Sequence, residues 1–565
     1  MNPLLPEQLA AAGFTAEQKE YLAGLFAGVA ARGRRVSEEA PAPKPEELIF
    51  EERVKRELHP LDAYGQIVEN ALGNKAPDKE DIFRFKWHGL FFLTPVKDAF
   101  MARLRIPGGV LRSYQLRELA RAAQELTSGY IQITTRANLQ LRLIQSKDAP
   151  EFLRRVQSAG LHTRGSGADN IRNLTANPTA GIDPVELVDV LPLVQELAHL
   201  ILNERSFYDL PRKFNIAYDG GGLIGAVEDT NDIGVKAVRL GDDTLFRIAL
   251  GGATGHKTFA RDLGVVVPPA EINQVVLALV RVFVAHGNRA DRKRARLKHL
   301  LEEWSLERYL EETEKLLGRT LRRAPYEPAR LRWASQELPH SHVGDFPQKQ
   351  KGFNSVGALC PVGQLTPRHL FRLADLADAY GSGELRLTVW QNFILPNVPD
   401  AFVATLKRAL EKAGFATRPS PVASGVVACT GNRFCKYAQS DTKGHALALT
   451  KWLERKVELD QPVNIHLTGC PNSCAQHYMG DIGCLGTKTK VGGESVDAYH
   501  VFVGGGFGRH QAVGRQVFAG VPAGELAPTL EKMLRTYLKH RQGKESFQQF
   551  STRHDVRQLQ ELFSE

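Results

Sequence analysis

Five of the chain's six cysteines, Cys429, Cys435, Cys470, Cys474 and Cys484, fall within 56 residues, and Cys360 stands apart. Six thiols are too few to staple 565 residues, so they read as chemistry and not as a disulfide framework. Cys429-Thr-Gly-Asn-Arg-Phe-Cys435 separates two thiols by five residues, and Cys470-Pro-Asn-Ser-Cys474 separates two more by three. Zinc sites usually hold two to four residues inside both pairs, whereas iron–sulfur clusters accept four thiolates at varied spacing. A four-Cys iron–sulfur cluster is therefore the leading reading, with zinc and inert core thiols as the competitors. The Gly, Asn and Ser around each pair suit tight loops whose N–H groups point at cluster sulfurs.

Other chemistries lack an anchor. Gly504-Gly-Gly-Phe-Gly508 lacks the third glycine of a dinucleotide fingerprint, and Gly251-Gly-Ala-Thr-Gly-His-Lys257 lacks P-loop spacing. Both read as tight turns after strands. No Gly-x-Ser-x-Gly elbow is present to place a hydrolase nucleophile. The longest apolar window, Val275 to Ala285, is short of a membrane span and carries Arg281. Residues 1–25 show no basic leader with an apolar core, so the expectation is a cytoplasmic protein without a membrane anchor. Lys and Arg number 73 against 63 Asp and Glu, a charge of +10 that favours an anionic partner without naming it.

The elements that must position these residues come from an internal repeat. Leu104-Arg-Ile-Pro-Gly-Gly-Val-Leu111 matches Ala358-Leu-Cys-Pro-Val-Gly-Gln-Leu365 at an offset of 254. The same offset relates helical apolar positions Leu116, Leu119, Ala120 and Ala123 to Leu370, Leu373, Ala374 and Ala377. It also relates Ile131-Gln-Ile-Thr-Thr-Arg-Ala-Asn138 to Leu385-Arg-Leu-Thr-Val-Trp-Gln-Asn392. Further on, Asp232-Ile-Gly234 resembles Asp481-Ile-Gly483 at offset 249. Ser113 and Thr366 are the expected helix N-caps. The pattern predicts an α+β fold of two related halves, mixed sheets covered by helices with pseudo-twofold symmetry, joined near residues 325–350 with a site at the seam. The Pro-rich stretch Ala40 to Glu47 reads as a stiff linker. From Ala290 to Arg323 one or two helices are expected, with Arg292-Lys-Arg-Ala-Arg296 on a solvated face rather than on nucleic acid.

Cys-Thr-Gly-Asn-x-Phe-Cys followed by Thr-Gly-Cys-Pro-Asn-Ser-Cys resembles the cluster signature of the siroheme-dependent nitrite and sulfite reductases. The duplication is also a property of that family, and the resemblance runs from about Lys86 to Tyr537. It implies a 4Fe-4S cluster on Cys429, Cys435, Cys470 and Cys474, with Cys474 bridging to the siroheme iron. Cys360 and Cys484 fall outside the pattern and read as buried small hydrophobes. It further implies substrate-binding Arg103 and Arg172, Lys213 and Asn215 over the siroheme, and a siroheme-gripping turn of Thr134, Thr135, Arg136 and Asn138. The repeat partner of Arg136 is Trp390, which suits a duplication in which one half kept the charges.

The expected layout is an N-terminal helical extension and linker over residues 1–80, then paired ferredoxin-like half-domains over 81–155 and 350–405. Two larger α/β domains follow at 156–345, for substrate and siroheme, and 406–545, for cluster and siroheme. The expected activity is assimilatory six-electron reduction of nitrite to ammonia, with sulfite reduction to sulfide as the alternative. Within the family Lys-x-Asn accompanies nitrite and Lys-x-Lys sulfite, and the chain has Lys213-Phe-Asn215. Without a nicotinamide or flavin motif, electrons are expected from ferredoxin or flavodoxin, and the protein is expected to be a monomer. The eight carboxylates of siroheme and about −2 on a thiolate-bound cluster would offset much of the +10, so nucleic acid is no longer called for.

Overall fold

The structure, a computed structural model, describes residues 48–92, 95, 98–324, 340 and 342–565. The Ala40 to Glu47 linker, the first 47 residues of the N-terminal extension, and residues 325–339 and 341 of the 325–350 junction lie outside the described residues. The chain divides into a unit Met1–Arg53, of which residues 48–53 are described, and a unit Val54–Glu565 that carries everything below.

Four sheets organise the described residues of the larger unit. The first is antiparallel, in the order Leu90–Phe92, Ala99–Arg103, Leu139–Gln145, Ile131–Ile133, Gln364–Leu365. The second is its repeat: Gly344–Pro347, Phe353–Ala358, Phe393–Pro399, Glu384–Leu387, Val110–Arg112. Each half-domain thus lends its edge strand to the other, because Val110–Arg112 and Gln364–Leu365 occupy the same place in the repeat. The exchange needs a close approach. Gly109 at φ +75° and Gly363 at φ +68° each bring their backbone so near a strand-end carbonyl that a Cβ would lie 2.5 Å from Leu387 O or 2.7 Å from Ile133 O. Only glycine tolerates both the left-handed backbone and that contact.

The helices behind these sheets, Ser113–Leu126 and Pro367–Tyr380, bury the eight apolar residues expected from their spacing in one continuous core. Thr366 caps its helix by accepting from His369 N at 3.3 Å, as expected. Ser113 does not cap: the N-cap is Arg112, whose backbone N–H is taken by the Gln115 side chain at 2.9 Å. The 254-residue offset had placed Arg112, not Ser113, opposite Thr366, and the Ser113 hydroxyl instead bonds Asp378.

The two larger sheets repeat each other as well. In one, Thr175–Ala176, Ile216–Asp219 and Ile233–Leu240 run parallel, and Asp243–Leu250, Arg261–Val267 and Arg322–Arg323 continue antiparallel. In the other, Val426–Ala428, Ile465–Thr468 and Ile482–Val491 run parallel before Glu494–Val503 and Arg515–Pro522. The register coincides: Ile216 faces Ile233 and Ile465 faces Ile482. Both glycine runs follow strand ends, at Leu250 and Val503, as turns. The apolar window Val275 to Ala285 lies in helix Ile272–His286, mostly buried against the first of these sheets.

The stretch after Ala290 yields two helices, Leu297–Glu303 and Leu306–Leu317. Its basic start corrects the expectation of a solvated helical face. Residues 289–296 form turns, Arg292 grips the fully buried Asp169 through two bonds of 2.6 and 2.7 Å, and Arg296 is buried on Asp232. Those carboxylates lie 123 and 64 residues away, out of reach of local charge patterning.

Candidate active site

The parallel strands Val426–Ala428 and Ile465–Thr468 are neighbours, so the loops at their carboxyl ends open side by side, where α/β sheets place their ligands. Cys429 follows the first strand directly and Cys470 follows the second after Gly469. The loops are tied together: Cys429 N donates to Leu467 O at 3.0 Å and Gly469 N donates to Cys429 Sγ at 3.2 Å. The Thr442 hydroxyl lies 3.5 Å from the same sulfur. Cys470 is buried, Cys429 and Cys435 are half-buried, and Cys474 is exposed. Burial pushes the Cys470 thiol up to about 12 and raises Cys429, as expected of thiols whose charge awaits a metal.

All twelve residues expected at the site line one cavity of about 230 Å³. Cys429, Cys435, Cys470 and Cys474 share this lining with Arg103, at the end of strand Ala99–Arg103, the turn residues Thr134, Thr135, Arg136 and Asn138, and Arg172, Lys213 and Asn215. Two further cations belong to the lining. Arg142 donates to Gln132 (2.8 Å), Gln140 (2.7 Å) and the Thr430 hydroxyl (2.8 Å), and the Lys443 ammonium caps Val362 O and Ala428 O. Strand Leu139–Gln145 alternates apolar and polar residues, so Gln140 and Arg142 share a face, a signal that could have found Arg142. Lys443, in the first turn of helix Thr442–Lys456, carried no such signal.

Among the described residues, six cations and no carboxylate line this space. Burial, then mutual repulsion, holds the Arg103 guanidinium down to about 10 and lowers Arg172 and Lys213. Arg142 falls to about 10 and Lys443 to about 8, again through burial first. The buried Nε atoms of Arg142 and Arg172 have no hydrogen-bond partner among the described residues. Stranded buried cations are costly unless an anion meets them.

Most of the cations are held rigidly. Arg172 donates to Ser166 O at 2.8 Å and Ala168 O at 2.9 Å, and Arg103 donates to Ser166 O at 3.3 Å while lying over the Phe91 ring. Arg136 Nε donates to Asn215 Oδ1 at 3.0 Å. Asn215 in turn gives both its backbone N–H and its side-chain amide to Asp232, which Arg296 neutralises at 2.8 Å. This Arg296–Asp232 support was not foreseen from the sequence. On the cysteine side, the Thr135 hydroxyl donates to Cys474 O at 2.9 Å, tying the turn to the thiol loop. Thr134 bonds Asn138, whose amide closes the turn onto Leu104 O at 3.0 Å.

The donor set fits the cofactors expected for it. Four thiols on two joined loops suit a cluster, and six cations with no carboxylate among the described lining residues suit a polycarboxylate macrocycle with a small anion. Among the described residues no three His, Cys, Asp or Glu are arranged around a single metal ion. Cys360 and Cys484 lie off the cavity, buried, their thiols pushed up to about 12.

Comparison with known proteins converges on this arrangement. Residues 167–321 and 423–565 match the profile of the nitrite and sulphite reductase 4Fe-4S domain. Residues 95–159 and 346–413 match the nitrite/sulfite reductase ferredoxin-like half domain. The chain is 38% identical to a ferredoxin–nitrite reductase of Synechococcus elongatus over 493 residues, covering 86% of this chain and 95% of that one. It is 36% identical to the chloroplastic ferredoxin–nitrite reductase of Zea mays over 81% of this chain and 82% of the other. The solved structure of the Mycobacterium tuberculosis NirA protein superposes with a TM-score of 0.84 at 30% identity, over 91% of this chain and 97% of that chain. The chain belongs to the nitrite and sulfite reductase family, whose cofactors are siroheme and a 4Fe-4S cluster.

Proposed function

We propose that this chain is an assimilatory nitrite reductase that takes electrons from ferredoxin or flavodoxin. The observation that carries the reading is the single cavity whose described lining joins four thiols and six cations with no carboxylate. When bound, the 4Fe-4S cluster and siroheme supply one-electron storage and an iron coordination position for the substrate nitrogen. Cys429, Cys435, Cys470 and Cys474 would hold the cluster, and Arg136 with its turn would hold macrocycle carboxylates.

The reaction consumes six electrons and eight protons per nitrite, giving ammonium and two waters. Arg103 and Arg172 bind the anion's oxygens, since a guanidinium stays charged when buried. Lys213 attracts the anion and gives protons as N–O bonds break; burial, then the neighbouring Arg296 and Arg136, makes its ammonium a readier acid. Asn215, pinned to Asp232 and Arg136, adds polarity without a second charge, which suits a monoanion better than the more highly charged sulfite. Exposed Arg433 and Lys436 flank Cys435 and would attract an acidic electron carrier. The domain limits expected from the sequence and a cytoplasmic monomer complete the proposal. No helix among the described residues is long and apolar enough to cross a membrane.

Turnover on nitrite and sulfite with dithionite-reduced methyl viologen tests the reading; a higher kcat/KM on sulfite would replace it with sulfite reduction. Asn215→Lys is expected to move the sulfite-to-nitrite ratio up about tenfold, through one added charge beside the anion. An unchanged ratio would remove Asn215 as the discriminator.

A further inference from the structure

The repeat duplicates the site as well as the sheets. At offset 249, Asn215 and Asp232 become Asn464 and Asp481, with the same contact: Asn464 N donates to Asp481 Oδ2 at 2.6 Å, as Asn215 N donates to Asp232 Oδ2 at 2.9 Å. Lys213 becomes Pro462 at that offset, and Arg136 becomes Trp390 at offset 254. The N-cap Arg296 of helix Leu297–Glu303 becomes Ser546, N-cap of helix Phe547–Arg553. Asn464, Asp481, Pro462, Trp390 and Ser546 all line a second cavity, of about 380 Å³.

The backbone framework is kept and its inner cations are lost. A ring and a proline stand where the first cavity has Arg136 and Lys213, and a hydroxyl stands where Arg296 pairs with Asp232 behind that cavity, while the carboxylate remains. Asp481 takes hydrogen bonds from the backbone and side chain of Asn464, and burial pushes its carboxyl up to about 7. The buried histidines around it do not balance it: burial holds His342 down to about 3 and His466, packed on Gly480 and Trp390, down to about 4, and lowers His340, whose Nε2 pairs with Asn464 Oδ1 at 3.0 Å. The other titratable lining groups, Arg509, His510 and Lys544, are exposed at the rim. Trp390 stands in the wall between His342, nearly parallel at 5.8 Å, and Phe507 at 5.1 Å.

We infer that this second cavity is a binding site for a planar organic cation, an aromatic amine or amidinium, seated against Trp390 and paired with Asp481. Aromatic faces attract cations most strongly when water is excluded, and a buried carboxylate is most stable beside one. Such a ligand is the electrostatic opposite of what the first cavity calls for, and its recognition does not depend on the reductase chemistry.

Benzamidine titrated into the full-length holoprotein by calorimetry at pH 8 tests this. Saturable one-to-one binding in the millimolar range or tighter is expected. Asp481→Asn should weaken it at least about tenfold, Trp390→Leu several-fold, and a drop to pH 6 about tenfold as Asp481 takes up its proton. Saturating nitrite should leave the affinity unchanged. No saturation, or equal affinity in a folded Asp481→Asn variant, overturns the inference. Should that variant not fold, the wild-type pH dependence and Trp390→Leu decide in the same way: flat in both, the inference fails.

Discussion

The two cavities of this chain stand on equivalent strand ends and keep the same Asn–Asp pair, yet among the described residues one is lined by six cations and four thiols and the other by aromatic rings and one carboxylate, with Arg509 and Lys544 as its exposed cations. The difference teaches that the fold supplies the framework and a few substitutions at matching backbone positions supply the chemistry. Arg136 against Trp390 and Lys213 against Pro462 in the linings, and Arg296 against Ser546 beside the Asn–Asp pair, account for much of the difference. Any change that breaks one cavity while sparing its twin therefore separates chemistry from scaffold.

The largest break expected is at the thiols, which the second cavity lacks. Cys474→Ser should abolish nitrite turnover and cut bound iron and acid-labile sulfide, because a hydroxyl is a poor substitute for a cluster thiolate. Cys484→Ser, buried on strand Ile482–Val491 away from the cavity, should keep both. Equal iron content in the two variants would remove Cys474 from the cluster.

Next come the cations. Arg172→Ala should lower kcat/KM for nitrite by about 10²–10³, the range for losing one preorganised donor to developing charge. Because Ser166 O also holds Arg103, part of the loss will appear as a raised KM. An effect below threefold would mean that Arg172 serves the fold alone.

The thiols were legible in sequence because their paired spacing has a chemical reason, and the basic and turn residues because short motifs around them resemble those of the nitrite and sulfite reductase family. All twelve expected residues line the one cavity. What stayed hidden depends on long-range pairing. Arg296 read as solvated because its partner Asp232 is 64 residues away, and the exchange of Val110–Arg112 for Gln364–Leu365 leaves no trace in local periodicity. Ser113 was mistaken for a cap although the repeat offset already pointed to Arg112. The second cavity was foreshadowed by Trp390 and by the match of Asp481 to Asp232, and that carboxylate becomes significant only when the missing counterpart of Arg296 is seen.

That counterpart gives the third test. Arg296→Ser installs the residue the repeat itself uses at this N-cap, so the helix start is preserved. It leaves the Asp232 carboxylate buried without its ion-pair partner, which costs about 3 kcal/mol. Asn215 and Arg136 lose their anchor as well, so stability measured by denaturant and nitrite KM should worsen together. If stability falls and KM holds, the pair supports the fold without positioning the site.

The smallest effect expected lies in the twin carboxylate. Asp481 is held near 7 by burial, above the 3.8 of a free aspartate, so the folded chain binds this proton more tightly than the unfolded one. An acid with a raised folded pKa adds no penalty below pH 4, costs more as the pH climbs from about 4 to about 7, and costs its full amount above that. Asp481→Asn removes the cost, so the variant should gain on wild type between pH 5 and pH 8, by about 2 kcal/mol once exposure to the cavity is allowed for. Paired thermal melts at the two pH values measure the gain, and a gap that does not widen would show Asp481 already ionised in the fold. Saturating benzamidine should narrow the same gap at pH 8, because a bound cation offsets in wild type the charge that the variant lacks. The first cavity meets the same need with Arg296, part of the protein itself, so no organic cation should affect Asp232 in this way.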